Sequence, residues 1–548
     1  MLIFNLRLVM DMKRKYVYIT LTICSVIFAS CKKELEEKFN NPENTSETSI
    51  AGFFTSMLNN EKVRPSYYNV RTFLLQEPGK FSQTNFFYNA NDIYRHDDGY
   101  IGTYWKEFYH TSYDNDRQIT LNGVMALYRL MEKAYRETSE ADQAKYDLFM
   151  QAGRIILIYH ASQLVDLWGD IPYSETGSLE TSSTVNNAKF DDQKELYMEF
   201  ISDLTAAATY FSDATATAQF NSYDIMLGGD THKWRKFANA LKLRLLMRIS
   251  FYDESSAKQS VMEMLSNAAQ YPLVDGDNVG SYNPQTEDII IQPLTDYTGN
   301  LNNAIMEGGT YAAPDYLLNK VLLPVNDPRI PVLFDRYGKT ENGVFKPNKE
   351  YKALAVNATV NDQETNWSSY STWDSVTFLV NSKLPGIMIT ASEVNFLKAE
   401  AEQRWGNESN AKTDYETALR QSIVFYYYLN STNTAYANRR ETVPTDAAIT
   451  AFIRNEQVAY TGSSNDKLAK IWTQKWAHFG FLQSPQAWAE YRRTKYPLLN
   501  FPTEGKLQGY RTPPNRLVYP SSETGYNPNY QAVQSKDTRD NKIFWDVK

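Results

Sequence analysis

Positions sharing one helical face recur along most of the chain at three-and-four spacing. Phe149, Ala152, Gly153, Ile156, His160, Gln163, Leu164 and Leu167 predict one helix, stopped by Gly169 with Pro172 just beyond. Leu196, Phe200, Leu204 and Ala208, flanked by Tyr197, Ile201 and Phe211, predict a second, entered through Asp192 with Glu195 three residues on. Trp234, Phe237, Ala238, Leu241 and Leu245 make a third stripe, with Lys and Arg on the other faces. Thr390 and Glu393 form a capping-box pattern ahead of Val394, Leu397 and Ala401, and Gly406 closes that helix. Residues 409–428 and 445–460 continue the helical theme, and Trp472, Trp476 and Phe479 add an aromatic stripe. At helical spacing such a stripe is more often core than binding platform.

Between residues 270 and 388 the pattern dissolves into Pro-, Gly-, Asn- and Tyr-rich stretches with short β-like runs such as Ile289–Ile291. That middle, with residues 60–115, reads as long ordered loops built onto helices, which is where binding usually resides. The expected fold class is mainly α with minor β. No fixed repeat period stands out.

The N-terminus changes the picture. Met1 and Met12 are both possible starts; Met12 opens a basic cluster of Lys13, Arg14 and Lys15, followed by an apolar stretch over residues 16–28. That is a signal-peptide layout, too short and too polar to span a bilayer comfortably. Phe28, Ala29 and Ser30 lead to Cys31 and then to charged Lys32, Lys33 and Glu34, which resembles a bacterial lipoprotein cleavage site. That resemblance implies diacylglycerol on the Cys31 thiol, in place of an ordinary secretory cleavage beside an incidental cysteine. The expected layout is a leader over 1–30, a polar tether over 31–49 and one binding domain over 50–548. Cys24 lies inside the leader, so no intramolecular disulfide is available to the mature chain. Losing the leader's four Lys/Arg and one Asp takes the net charge from −8 to −11, which argues against nucleic acid as a partner.

Five stretches then resemble the SusD/RagB type of outer-membrane lipoprotein. They are the run Leu164-Val165-Asp166-Leu167-Trp168-Gly169-Asp170-Ile171-Pro172-Tyr173-Ser174-Glu175, the segment from Lys233-Trp234 to Arg244, Asn326-Asp327-Pro328-Arg329, Ser392-Glu393 through Ala401, and Ala487-Trp488 through Tyr496-Pro497. The resemblance implies tetratricopeptide-like helix pairs supporting a loop-rich ligand face. It implies a SusC-like TonB-dependent β-barrel as partner, capped by this chain as a hinged lid, and a lipid-anchored position on the outer membrane facing the cell surface. Relatives bind glycans in many cases and peptides in others. The quoted motifs themselves read as scaffold: Gly169 and Pro172 end a helix, while Glu393 and Arg244 suit buried helix ends or each other.

A sugar needs rings to stack on its C–H face and amides, carboxylates or guanidinium groups for its hydroxyls. Two loop regions offer that mixture. The first holds Tyr67, Tyr68, Asn85, Phe86, Phe87, Tyr88, Asn91 and Asp92; the second holds Trp367, Tyr370 and Trp373 among Ser and Thr. At least one of the two is expected to line the pocket; the competing reading is that these rings anchor loops to the scaffold or meet the transporter. Catalysis finds no support. The 63 carboxylates after the leader are too many to single out a pair, and the five histidines show no metal-ligand spacing. His160 reads as a hydrogen-bonded core residue. Asp275, Asp277 and Gly280 only weakly suggest a calcium loop, since Val279 takes a ligand position, and no cofactor motif is present. A helical adaptor that binds proteins alone is the remaining class; export and the aromatic loops count against it.

Overall fold

The computed structural model describes residues 49–87, 93–110, 112–114, 119–121, 123–184, 186–276, 281–293, 301–501 and 510–548. Cys31, the leader and the tether up to residue 48 lie outside these, as do Tyr88, Asn91, Asp92, Asp277 and Gly280. The α-helices of eight residues or longer among the described residues are α1 Ile50–Leu58, α2 Asp98–Tyr109, α3 Val124–Glu137, α4 Asp147–Trp168, α5 Gln193–Asp213, α6 Thr231–Ile249, α7 Glu254–Ser266, α8 Ala391–Trp405, α9 Glu408–Ser431, α10 Asp446–Ile453, α11 Ser464–Phe479 and α12 Ser484–Thr494. The fold is mainly α, and its strands are short and paired only in twos, all antiparallel.

The predicted helix ends follow from local chemistry. Asp192 accepts hydrogen bonds from the Lys194 and Glu195 amides at the start of α5, and Gly169 ends α4 at φ 83°, a conformation that costs glycine little. α8 and α9 are joined through only Gly406 and Asn407 and pack along each other, which makes them a helix pair. One contiguous apolar core runs from Ile50 to Trp545, with Trp476 and Phe479 of the aromatic stripe inside it.

Three expectations change. Residues 445–460 hold a helix only as far as Ile453, because the Asn455 side chain accepts from the Gln457 amide and its carbonyl takes the Val458 and Ala459 amides, turning the chain. Residues 60–115 contain α2, a full helix capped by Asp97, whose side chain accepts from the Tyr100 amide. His160 is in the core, but its Nε2 has no hydrogen-bond partner, and burial pushes its pKa down to about 3, leaving the ring neutral.

Charged residues of the recognisable stretches are buried and paired. Arg244 donates to both carboxylate oxygens of Glu393 at 2.6 and 2.7 Å, and Arg329 donates to Asp327 at 2.7 Å and to Gln474 and Ser422. The Glu393 carboxylate is thus taken by α6, while Thr390 supplies the other half of the expected capping box by accepting from the Glu393 amide. Asp275 pairs with Lys398 at 2.9 Å.

Candidate functional site

The loops between residues 60 and 115 and between 301 and 375 meet, with Gln76 and Tyr67 of the first reaching Gly308 and Glu307 of the second. Strand β1, Ile289–Ile291, pairs with β6, Gly386–Ile389, antiparallel. Between them β2, Phe334–Asp335, pairs with β5, Thr372–Trp373, so that Phe334 faces Trp373. β3, Gly338–Glu341, and β4, Val344–Pro347, form a hairpin turned by Asn342 and Gly343, both at positive φ as a tight hairpin turn requires. Val344 and Phe345 at its tip are exposed.

The sequence placed rings in both loop regions, and the fold brings them to one place. Phe86 packs with Ala312 and Leu354 in a small satellite core that Tyr311 and Tyr370 cover. Trp367, half-buried, meets Tyr311 edge-on at 5.0 Å and Tyr337 at 5.0 Å; Tyr337 in turn meets Phe345 at 6.2 Å. Tyr311, Trp367, Tyr337 and Phe345 form a ridge of rings running out onto the hairpin. Trp373 does not belong to it. It is 1% exposed, stacks on Phe334 at 5.1 Å, and donates its indole N–H to the Thr310 carbonyl at 3.2 Å. Its place is under the ridge, holding the backbone of Thr310 and Tyr311 from below, so direct contact with ligand is not open to it. Asn85 is likewise buried, its amide donating to the Leu75 carbonyl at 3.2 Å. Tyr67 and Tyr68 are half-buried; the Tyr67 hydroxyl donates to Glu307, the last residue of the short helix ahead of Gly308, and its pKa is raised by that hydrogen bond.

Phe87 and Thr310 lie at the edge of a cavity of about 630 Å³. Gln76, Glu77 and Lys80 form one wall, Ile93 to Asp97 a second, the start of α2 with Asp98, Gly99 and Tyr100 a third, and Gly308 with Thr310 the last. Gln76 fixes the rim by donating to the Gly308 carbonyl at 2.9 Å. Glu77 is 1% exposed; its Oε1 accepts from the Asp97 amide at 2.9 Å, and its Oε2 has no hydrogen-bond partner. Burial drives its pKa up to about 8 against the opposing pull of the Lys80 ammonium. His96 donates from Nε2 to the Asp98 carboxylate at 3.1 Å, and burial lowers its pKa. The lining is mixed, with charged, amide and aromatic groups together, and Thr310 connects it to Tyr311 at one end of the ridge.

A second cavity, of about 620 Å³, opens between α2, residues 176–180 and 186–188, and residues 520–527. At its wall the Trp105 indole N–H is already engaged by Glu523 at 3.1 Å, and Tyr526 stands 85% exposed. None of the described residues of the two predicted aromatic clusters lines it. Among the described residues no group of three His, Cys, Asp or Glu side chains is placed to hold a metal ion, and no helix is long and apolar enough to cross a membrane.

Residues 64–520 match the model of a SusD-like family described as starch-binding and associating with the outer membrane. The chain belongs to this family. Among solved structures, a chitin-binding protein is 23% identical to the SusD-like chain with a TM-score of 0.70, covering 91% of this chain and 100% of its own. A Bacteroidetes SusD-like protein, AC2a, is 23% identical with a TM-score of 0.69 and the same coverages, 91% and 100%. A SusD homolog from Bacteroides uniformis is 21% identical with a TM-score of 0.65, covering 92% and 100%. These likenesses show the fold. No curated protein matches the chain.

In the SusD-like chain the residues that carry the resemblance do not line the cavity: Gly169 ends α4, and Arg244, Glu393, Asp327 and Arg329 are paired inside. The polar wall of Glu77, Lys80, His96 and Asp97 went unread. No local pattern marks it, because Glu77 and Asp97 meet only when the chain returns after twenty residues. Tyr311 and Tyr337 carried a faint signal, each being an aromatic in a Gly-containing stretch far from any helical stripe.

Proposed function

We propose that this protein captures glycan at the cell surface and hands it to an outer-membrane transporter without cleaving it. The observation that carries the reading is the cavity beside the ridge of Tyr311, Trp367 and Tyr337, in a chain whose family is described as starch-binding. Sugar rings stack on exposed aromatic faces while amides and carboxyls take the hydroxyls, and the site supplies both. In this reading Cys31 carries the lipid, residues 31–49 act as the tether, and residues 50–548 form the binding domain. Phe87 serves the ligand from the cavity, and Trp367 and Tyr370 from the ridge. The partner is a SusC-like TonB-dependent barrel, over which the loop face would close.

The test is calorimetric titration of detergent-extracted protein with maltoheptaose, chitohexaose and a set of short peptides, followed by analysis of the mixtures for cleavage products. Saturable glycan binding with intact ligand is the expected result. Binding of peptides alone would replace the ligand class, and released products would make the protein an enzyme. Replacing Cys31 by Ser should move the protein from the membrane to the soluble fraction and abolish co-purification with a β-barrel; retention in the membrane would overturn the anchor.

A further inference from the structure

The ridge explains how a glycan would be held and leaves unexplained why an acid is buried at the cavity wall. A carboxyl oxygen that is buried and unpartnered costs about 1–3 kcal/mol or more, so its persistence calls for a use. Glu77 lines the cavity and is held from one side only: the Asp97 amide takes Oε1, Pro78 follows it at the start of a short helix, and Oε2 is buried in the wall without a partner. Resting on the glycan-capture reading above, we propose that Glu77 is the specificity-determining group of this cavity, its free Oε2 hydrogen-bonding an oxygen of an uncharged saccharide.

Two observations choose the ligand's charge. The formally charged groups that line the cavity with Glu77 are Lys80 and Arg95 on one side of the balance and Asp97 and Asp98 on the other, while burial lowers the pKa of His96 and so favours its neutral ring. The formal charges of the lining therefore balance and favour neither a cationic nor an anionic sugar. Glu77 itself is carried up to about 8 by burial, with Asp97 and Asp98 adding to the shift and Lys80 opposing it, so at pH 7 most molecules hold a neutral carboxylic acid there. A neutral acid is a donor, and a hydroxyl, ring or acetamido oxygen is the acceptor it fits. Above its pKa the group becomes an acceptor-only carboxylate and that hydrogen bond is lost.

The experiment measures Kd for maltoheptaose and chitohexaose at pH 6, 7, 8 and 9 with detergent-extracted wild type, Glu77→Gln and Glu77→Ala, each checked by thermal melting. Wild-type binding should weaken by about tenfold between pH 7 and pH 9, the ratio of protonated fractions for a pKa of about 8. Glu77→Gln keeps a donor at all pH values, so it should hold the wild-type pH 7 affinity at pH 9 and show no slope. Glu77→Ala should bind weakly throughout; if it does not fold, the Gln variant decides alone. A Gln variant with the wild-type slope, or an Ala variant with wild-type affinity, overturns the role of Glu77 and leaves glycan capture standing. Failure of wild type to bind either glycan overturns both.

Discussion

Trp367 and Trp373 lie six residues apart, share one amino-acid type and do different work. Trp367 is half-buried and edge-on to Tyr311, whereas Trp373 is sealed between Phe334 and Phe481, at 5.1 and 4.7 Å. Trp367→Ala should weaken glycan binding by roughly tenfold or more, on the scale of about 1–3 kcal/mol for an exposed stacking ring, while the midpoint of urea unfolding stays near wild type. Trp373→Ala should cost about 3–5 kcal/mol of stability through the cavity it leaves. Unfolding curves and calorimetry on the two single variants separate the roles, and equal loss of stability in both would mean Trp367 is an anchor too. Arg244 gives a second case at this scale. Its pairing with Glu393 leaves both groups under 5% exposed, so Arg244→Leu strands a buried carboxylate and should cost about 3–5 kcal/mol. A loss under about 1 kcal/mol would show that the pair is not felt as a buried one.

At the scale of elements, helix ends were the part most open to sequence, because caps act over three or four residues. Asp192, Gly169 and Gly406 all stand where the pattern put them. Asp192→Ala should cost about 1 kcal/mol, since it orphans the Lys194 and Glu195 amides at the surface; an unchanged unfolding midpoint would mean water replaces the carboxylate fully. The misses share one cause. α2 was hidden because its buried face, Ile101, Tyr104, Trp105 and Phe108, is diluted by Gly99, Gly102 and Lys106, and its partners lie far along the chain. α10 was overextended because a seven-residue turn keeps Val458 and Tyr460 buried and so imitates a helical stripe. The same limit governs the site. Rings clustered in sequence could be noticed, and the fold brings one ring of each cluster, Phe86 and Tyr370, together; the polar wall, assembled from residues 76–80, 93–100 and 308–310, has no footprint shorter than the whole loop layer.

Across the whole molecule, two buried acids should tilt stability against pH in opposite directions. Glu400 sits at 0% exposure on α8; burial alone would raise its pKa, but Arg493, Lys475 and Arg404 overrule it and hold the carboxyl at about 2. Its folded pKa lies below the unfolded value of 4.5, so its contribution is present above that value and is lost as pH falls toward 2. Glu77 has the reverse sign: with a folded pKa of about 8 against 4.5, its contribution is present below 4.5 and is lost as pH rises toward 8. The difference in unfolding free energy between wild type and Glu400→Gln should therefore shrink as pH is lowered from about 4.5 to 3. Relative to Glu77→Gln, wild type should lose ground as pH rises from about 5 to 8, on the order of a few kcal/mol. Urea titrations at fixed pH values read both slopes without any ligand. A flat Glu77 difference across that range would mean that its carboxyl ionises normally in the folded protein, and the cavity would then present a carboxylate to its ligand at neutral pH in place of a donor.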